Sequence, residues 1–225
     1  MEQKEYCYKY PHPAVTTDCV IFGFDGQRLK VLLIRRGIDP YKGLWALPGG
    51  FLTPDETAEQ GAARELMEET GFEASYLEQL RAYTAPGRDP RERVITIAFI
   101  ALVKIADVCG GDDAAEARWF ATDEIPQLAF DHDLILRDAL TRLREKIHFH
   151  PIGHDLLPEQ FTMKELQTLY ESILNVNFDR RNFAKKMIHI GILSPIEEPK
   201  SRPQLYEFDL KTYSELKNRG FRLEF

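Results

Sequence analysis

The sequence predicts an α+β protein in two parts: a mixed sheet with helices over residues 1–150, then a small unit of two helices and a β-hairpin over 151–225. Three observations carry this expectation. Short runs of β-branched and aromatic residues alternate with one helical repeat in the first part, whereas two amphipathic helices follow each other directly in the second. Between them "FHPIGHDLLPEQ" (149–160) has the prolines and glycine of a connector. Charge divides at the same place. Residues 151–225 hold eleven Lys/Arg and eleven Asp/Glu, so the whole net charge of −7 falls on residues 1–150, as it would if the two parts met different partners.

Composition excludes several classes. Hydrophobic residues at 44% and charged residues at 29% fit a soluble globular chain with a sizeable core. No apolar run reaches the ~20 residues of a membrane helix. The start, "MEQKEYCYKYPHP", has no secretory apolar stretch, so a cytoplasmic location is expected. Cys7, Cys19 and Cys109 make no CxxC pair, which fits reduced thiols better than a disulfide scaffold.

In chain order, "AVTTDCVIFGF" (14–24) and "LKVLLIRR" (29–36) read as two strands around an Asp25-Gly26 turn. "LWALPGG" (44–50) reads as one short strand ending in a tight glycine turn. Ala58, Ala62 and Leu66 recur at helical spacing within 57–70, and Gly71 stands where a helix stops. Strands are expected again at 76–83, 94–105 and 117–120, and a helix at 134–147. In the second part, Thr162 and Glu165 form a capping-box pattern that opens a helix over 161–174. Asp179 caps a second helix over 180–191, and the segment beyond Gly191 alternates like a hairpin. Helix, turn, helix and hairpin together describe a winged helix.

The chemistry concentrates in the first helix. Glu65, Glu68 and Glu69 stand at i, i+3 and i+4, so three like charges share one face, at a cost of roughly 0.2–0.5 kcal/mol per pair. A solvated charge run is the bland explanation. Around it, however, Gly50, then five residues, Glu56, then seven residues, lead into Arg64-Glu65-Leu66-x-Glu68-Glu69-x-Gly71. Carboxylates one turn apart suit a hard cation such as Mg²⁺, and repulsion among them becomes binding energy when a metal arrives.

That full pattern resembles the signature helix of the Nudix hydrolases. The resemblance implies an α/β/α sandwich with a mixed sheet, and an Mg²⁺-dependent (or Mn²⁺-dependent) cut in a nucleoside diphosphate linked to another group. It also implies roles: Glu65 and Glu69 as main metal ligands, Glu68 contributing, the Gly49 carbonyl assisting, Arg64 orienting Glu65, and Glu56 supporting the loop–helix geometry. The family often adds an acidic ligand or base from elsewhere; Glu116 is the first candidate and Glu92 the second. Arg36, Arg88, Arg91 and Arg93 are candidates to meet the diphosphate, each with a solvated or salt-bridged turn as its bland alternative. "RDPRERV" and "AFDH" resemble the ADP-ribose-related branch.

In the second part, Arg180, Arg181, Lys185 and Lys186 lie on the expected recognition helix, and Lys200 and Arg202 at the wing tip, where they would meet phosphates of double-stranded DNA. The unit as a whole is neutral, weaker than a typical basic footprint, so protein interaction or dimerisation is the competing use. "HPIGHDLLPEQFTMKELQTLYESI" with "FDRRNFAKKM" resembles the Nudix-related transcriptional regulators. In these a metabolite-sensing domain is joined to a winged helix that binds an operator, usually as a homodimer. Many of those regulators have a degraded signature, whereas every position is intact here. The first expectation is therefore a hydrolase of an ADP-ribose-like diphosphate fused to a DNA-binding domain. The second is a non-catalytic regulator responding to ADP-ribose, a related NAD metabolite or a sugar. His148, His150 and His154 read as incidental linker histidines rather than a zinc site, for want of a fourth ligand. Tyr6, Tyr8 and Tyr10 read as an edge or dimer contact.

Overall fold

The computed structural model describes residues 8–105, 114–196, 203–220 and 222–223. β1 (Ala14–Phe24) and β2 (Leu29–Arg36) form an antiparallel hairpin. Its turn is held by the Asp25 carboxylate, which accepts from the Gln27 and Arg28 N–H groups at 2.9 and 2.7 Å. The stretch expected as one strand over 44–50 is two: β3 (Trp45–Ala46) on β2 and β4 (Gly49–Phe51) on the start of β1. Leu47 and Pro48 separate them, and proline has no N–H to offer a ladder.

α1 (Ala58–Thr70) ends at Gly71 as expected and starts one residue inside the expected stretch, after a cap that the sequence analysis does not assign. Thr57 and Gln60 close a reciprocal capping box, and Gly71 takes φ +74°, a left-handed stop that favours glycine. Next come β5 (Tyr76–Tyr83), β6 (Val94–Leu102), β7 (Ala114–Ala121) and α2 (His132–Lys146). β6 is shorter than expected, while β7 and α2 start earlier. The sheet runs β3-β2-β1-β6-β5, with β4 on β1 and β7 on β2, and only β1 and β6 are parallel. Period-two alternation in β1 sends Cys19 and Ile21 to one face, against Ala62 and Leu66 of α1. Val20 and Phe22 go to the other face, in one core with Ile135, Ala139 and Leu143 of α2. Helices on both faces of a mixed sheet make the expected sandwich.

The expected connector is folded structure. Ile152, Leu156 and Leu157 are buried, and α3 (Gly153–Leu156) runs through it. A Cβ on Gly153 would stand 2.8 Å from the Phe208 ring and 2.9 Å from a Leu166 methyl, so a larger residue would have to displace both. The histidines bind this segment internally: His148 Nδ1 meets the Leu223 carbonyl at 2.7 Å, and His150 Nε2 meets Asp155 at 2.8 Å.

β8 (Phe161–Thr162) takes the first two residues expected to be helical, followed by α4 (Met163–Leu174), α5 (Arg180–Ile190), β9 (Leu193–Pro195) and β10 (Leu205–Phe208). β10 lies between β8 and β9, all antiparallel, which completes a winged helix. α6 (Leu210–Asn218), capped by Asp209, follows and was not foreseen. The core is continuous between the parts: Leu29 and Leu143 share a cluster with Leu169, Tyr170 and Ile173 of α4. The Leu29 N–H donates to Ser172 Oγ at 2.6 Å, and Arg144 donates to the Ile173 carbonyl at 2.9 Å. Among the described residues, no helix is long and apolar enough to cross a membrane.

Thr162 accepts from the Glu165 N–H at 3.2 Å while the Glu165 carboxylate accepts from the Thr162 N–H at 2.7 Å. Thr162→Ala removes that side-chain cap, and chemical denaturation is expected to show a loss of about 1 kcal/mol; no change would mean that packing alone holds the start of α4.

Candidate ligand cleft and carboxylate helix

The tight turn of β4 brings the end of β1 pairing, the first helix and a cleft together. A Cβ on Gly50 would stand 2.2 Å from Glu65 Oε1, so the backbone passes directly over that carboxylate. The Gly49 N–H donates to Glu69 Oε2 at 2.8 Å. Arg64 organises the rest: it donates to both Glu56 oxygens at 3.0 and 2.8 Å, to Glu65 at 2.8 Å and to Glu68 at 3.0 Å. The Arg64 hydrogen bond, with the Thr53 N–H, holds the Glu56 carboxyl down at about 2. Burial pushes the Glu65 carboxyl up, against the pull of Arg64. Thus the sequence-predicted group Glu56, Arg64, Glu65, Glu68, Glu69 and Gly49 is one constellation.

Among the described residues, no three His, Cys, Asp or Glu already converge as a metal cage. Glu65 and Glu68 turn to Arg64, and Glu69 turns to the Gly49 N–H. The donors are hard oxygens, the chemistry a divalent cation such as Mg²⁺ requires. Thr17, paired with Gly50 across β1 and β4, has a buried hydroxyl without a hydrogen-bond partner among the described residues. The residues fit a hard cation after side-chain rotation.

Beside this helix lies a cleft of about 170 Å³. Gly49, Gly50 and Glu69 form one wall; Asp18, Arg36, Arg88, Asp89, Arg91, Phe51, Phe130 and His132 are among the others. Arg88 is buried, donating to Asp131 at 2.7 and 3.0 Å and approaching Asp18 at 3.4 Å. Burial opposes its charge, yet Asp131 and Asp18 raise its pKa. Burial lowers that of His132. Its Nδ1 accepts from the Leu47 N–H at 2.9 Å, so the neutral ring keeps its proton on Nε2, 3.6 Å from Asp18. Arg91 pairs with Asp89 at 2.6 Å and packs 5.1 Å from the Phe51 ring centre. Arg36 lies 4.8 Å from the Phe130 ring centre and donates to the Pro40 carbonyl at 2.7 Å.

The remaining candidates stand elsewhere. Glu116 opposes Arg35 across β2 and β7, with ion pairs to Arg35 at 3.9 Å and to Arg118, and does not line the cleft. Glu92 is exposed in the preceding loop. Arg93 donates to the Thr84 and Ala85 carbonyls at 2.9 and 3.2 Å and holds that loop. Sequence reasoning missed Asp18, Asp89 and Phe130. A lone aspartate inside the apolar run "TTDCVIF" was the available signal for Asp18.

In the second part, Asp179 accepts from the Asn182 N–H at 2.9 Å to start α5. Phe183 and Met187 are buried, which turns Arg180, Arg181, Lys185 and Lys186 outward, all exposed. Lys200 and Arg202 lie outside the described residues.

Residues 12–143 match the model of the NUDIX domain, and residues 153–208 that of the NrtR DNA-binding winged helix domain. The chain belongs to the Nudix family, in its NrtR branch. An ADPR responsive transcriptional repressor of Acinetobacter baylyi is 37% identical over 213 residues, covering 91% of this chain and 85% of the relative. An ADP-ribose pyrophosphatase of Methanocaldococcus jannaschii is 45% identical over 131 residues, 58% of this chain and 75% of the relative. Among solved structures, Shewanella oneidensis NrtR superposes with a TM-score of 0.77 at 31% identity, covering 93% of this chain and 97% of that one. The same protein complexed with a 27mer DNA gives 0.72 at 30% identity, with the same coverage. Its NUDIX domain complexed with ADP ribose gives 0.55 at 33% identity, covering 60% of this chain and 90% of that one. As an NrtR-type chain it thus joins a Nudix domain to a winged helix.

Proposed function

We propose that this chain is a cytoplasmic DNA-binding regulator whose Nudix cleft takes ADP-ribose or a close relative, and that occupancy of the cleft controls operator binding. One observation carries the reading. The cleft and the basic face of α5 belong to parts that share a continuous core, in a chain aligned over 91% of its length with an ADPR responsive repressor. The units are residues 1–150 and 151–225, acting as a homodimer on a two-fold operator.

The intact carboxylate helix supports a second activity, Mg²⁺-dependent (or Mn²⁺-dependent) hydrolysis of the diphosphate, and one relative is an ADP-ribose pyrophosphatase. A cation held by Glu65, Glu68 and Glu69, with the Gly49 carbonyl, would neutralise diphosphate charge and acidify a bound water. Arg64 would hold the carboxylates in register, with Glu56 anchoring Arg64. AMP release from ADP-ribose with Mg²⁺ tests this activity; no release, with ligand-dependent release of DNA, leaves the regulator alone.

On DNA, Arg181 and Lys185 are one turn apart and exposed, and neither has an acidic partner among the described residues. Replacing both with Ala is expected to weaken binding to any duplex and to reduce the slope of log K against log salt by about 2 for each protomer on the DNA, about 4 for the homodimer. Fluorescence anisotropy across a salt series measures it; an unchanged slope would remove α5 from the interface.

A further inference from the structure

α5 turns one aliphatic side chain to solvent among its basic ones: Ile188 is 55% exposed. A lone exposed apolar residue is ordinary on a protein surface, so its position decides what it can do. Phe183 and Met187 are the buried residues of α5. The Phe183 ring packs on those of Tyr170 and Phe178, at 5.8 and 5.4 Å between centres, which fixes the rotation of α5 on α4. At about 100° per residue, Arg181, Lys185 and Ile188 fall within about 60° of one another, on the side turned away from Phe183 and Met187. They cover about 10 Å of helix axis. All three are exposed, and the outward stripe of α5 therefore ends two cations with one branched hydrocarbon.

We propose that Ile188 reads the methyl group of a thymine in the major groove, and so adds base specificity to a helix whose cations supply affinity. This rests on the proposed DNA-binding role of α5. The major groove is wide enough to admit a helix, whereas the minor groove is not. Of the base edges that line the major groove, thymine alone carries an apolar group. Isoleucine has neither donor nor acceptor, so against any other edge it would strip water from polar atoms and return no hydrogen bond. Against the thymine methyl, two apolar surfaces leave water together. The β-branch holds Ile188 to one main χ1 rotamer in a helix, so little side-chain freedom is lost on contact. Arg181 lies about 10 Å along the axis, roughly three base-pair steps, so the thymine belongs to the half-site that Arg181 meets.

Duplexes selected from a random library by the full-length protein supply the probe. Each thymine of the selected sequence is then replaced in turn by deoxyuridine, which removes only the methyl group, and fluorescence anisotropy gives the affinities. The wild-type protein is expected to lose about fourfold at one thymine of each half-site, the worth of one buried methyl. Ile188→Ala should bind the thymine and uracil duplexes alike, at about the wild-type affinity for the uracil duplex. Ile188→Val, which keeps the branch, should retain most of the discrimination. Each comparison is a ratio within one protein, so a change in folding stability does not enter it. An Ile188→Ala protein that still discriminates as wild type does would overturn the inference and assign the methyl contact to another side chain. A wild-type protein indifferent to every substitution would overturn it too, with the DNA-binding role left standing. If no duplex is selected at all, the inference and that role fall together.

Discussion

Glu69→Gln is expected to lower ADP-ribose turnover by about 10³-fold, the several kcal/mol that metal stabilisation of a developing charge supplies. The amide oxygen can still accept from the Gly49 N–H, which Glu69 does at 2.8 Å, so the β4–α1 junction keeps its shape. What disappears is a negative charge on the cleft wall. DNA affinity should be unchanged, because α5 and its basic face are built from a separate stretch of chain. Glu116→Gln serves as the contrast. Its carboxylate is engaged with Arg35 and Arg118 outside the cleft, so its loss should alter turnover only slightly. A large effect at Glu116 with none at Glu69 would place the chemistry on β7 and overturn the reading of α1. Steady-state AMP release at saturating Mg²⁺, with anisotropy on the same preparations, measures both.

The contrast between those glutamates reflects what sequence can convey. α1 was legible because its information is local: apolar residues every fourth position, carboxylates one turn apart and a stop at Gly71. The starts of α4 and α5 were legible for the same reason, through Thr162 and Asp179. Contacts between distant segments left little trace. The parallel pairing of β1 with β6 joins Ala14 to Val94 and decides which face of β1 looks into the cleft, yet no spacing encodes it. Glu116 is the first candidate from sequence for a further acid, but strand register sets it opposite Arg35. The connector was misread because Pro and Gly signalled a loop, whereas Ile152, Leu156 and Leu157 bury completely and fold it into the core. Tertiary burial there overrode local turn chemistry.

Arg88→Met is expected to destabilise the folded chain by about 3–5 kcal/mol, the cost of leaving buried charge without its counter-charge. From sequence, Arg88 was a ligand contact in an arginine-rich turn. In the fold its side chain is only 4% exposed, and its partners lie 43 and 70 residues away in sequence. It joins β1, through Asp18, to Asp131 at the start of α2. Methionine fills similar volume, so the loss measures charge more than cavity. Asp18 and Asp131 would then both lose their shared cation, with only neutral His132 beside Asp18. A cycle with Asp18→Asn separates the two contributions, since removing both partners of a buried pair costs less than removing one. Urea denaturation of the four proteins is the measurement. If Arg88→Met loses less than about 1 kcal/mol, water solvates both carboxylates and the cleft floor is wet. If the double variant regains most of the loss, Arg88 acts chiefly by compensating Asp18.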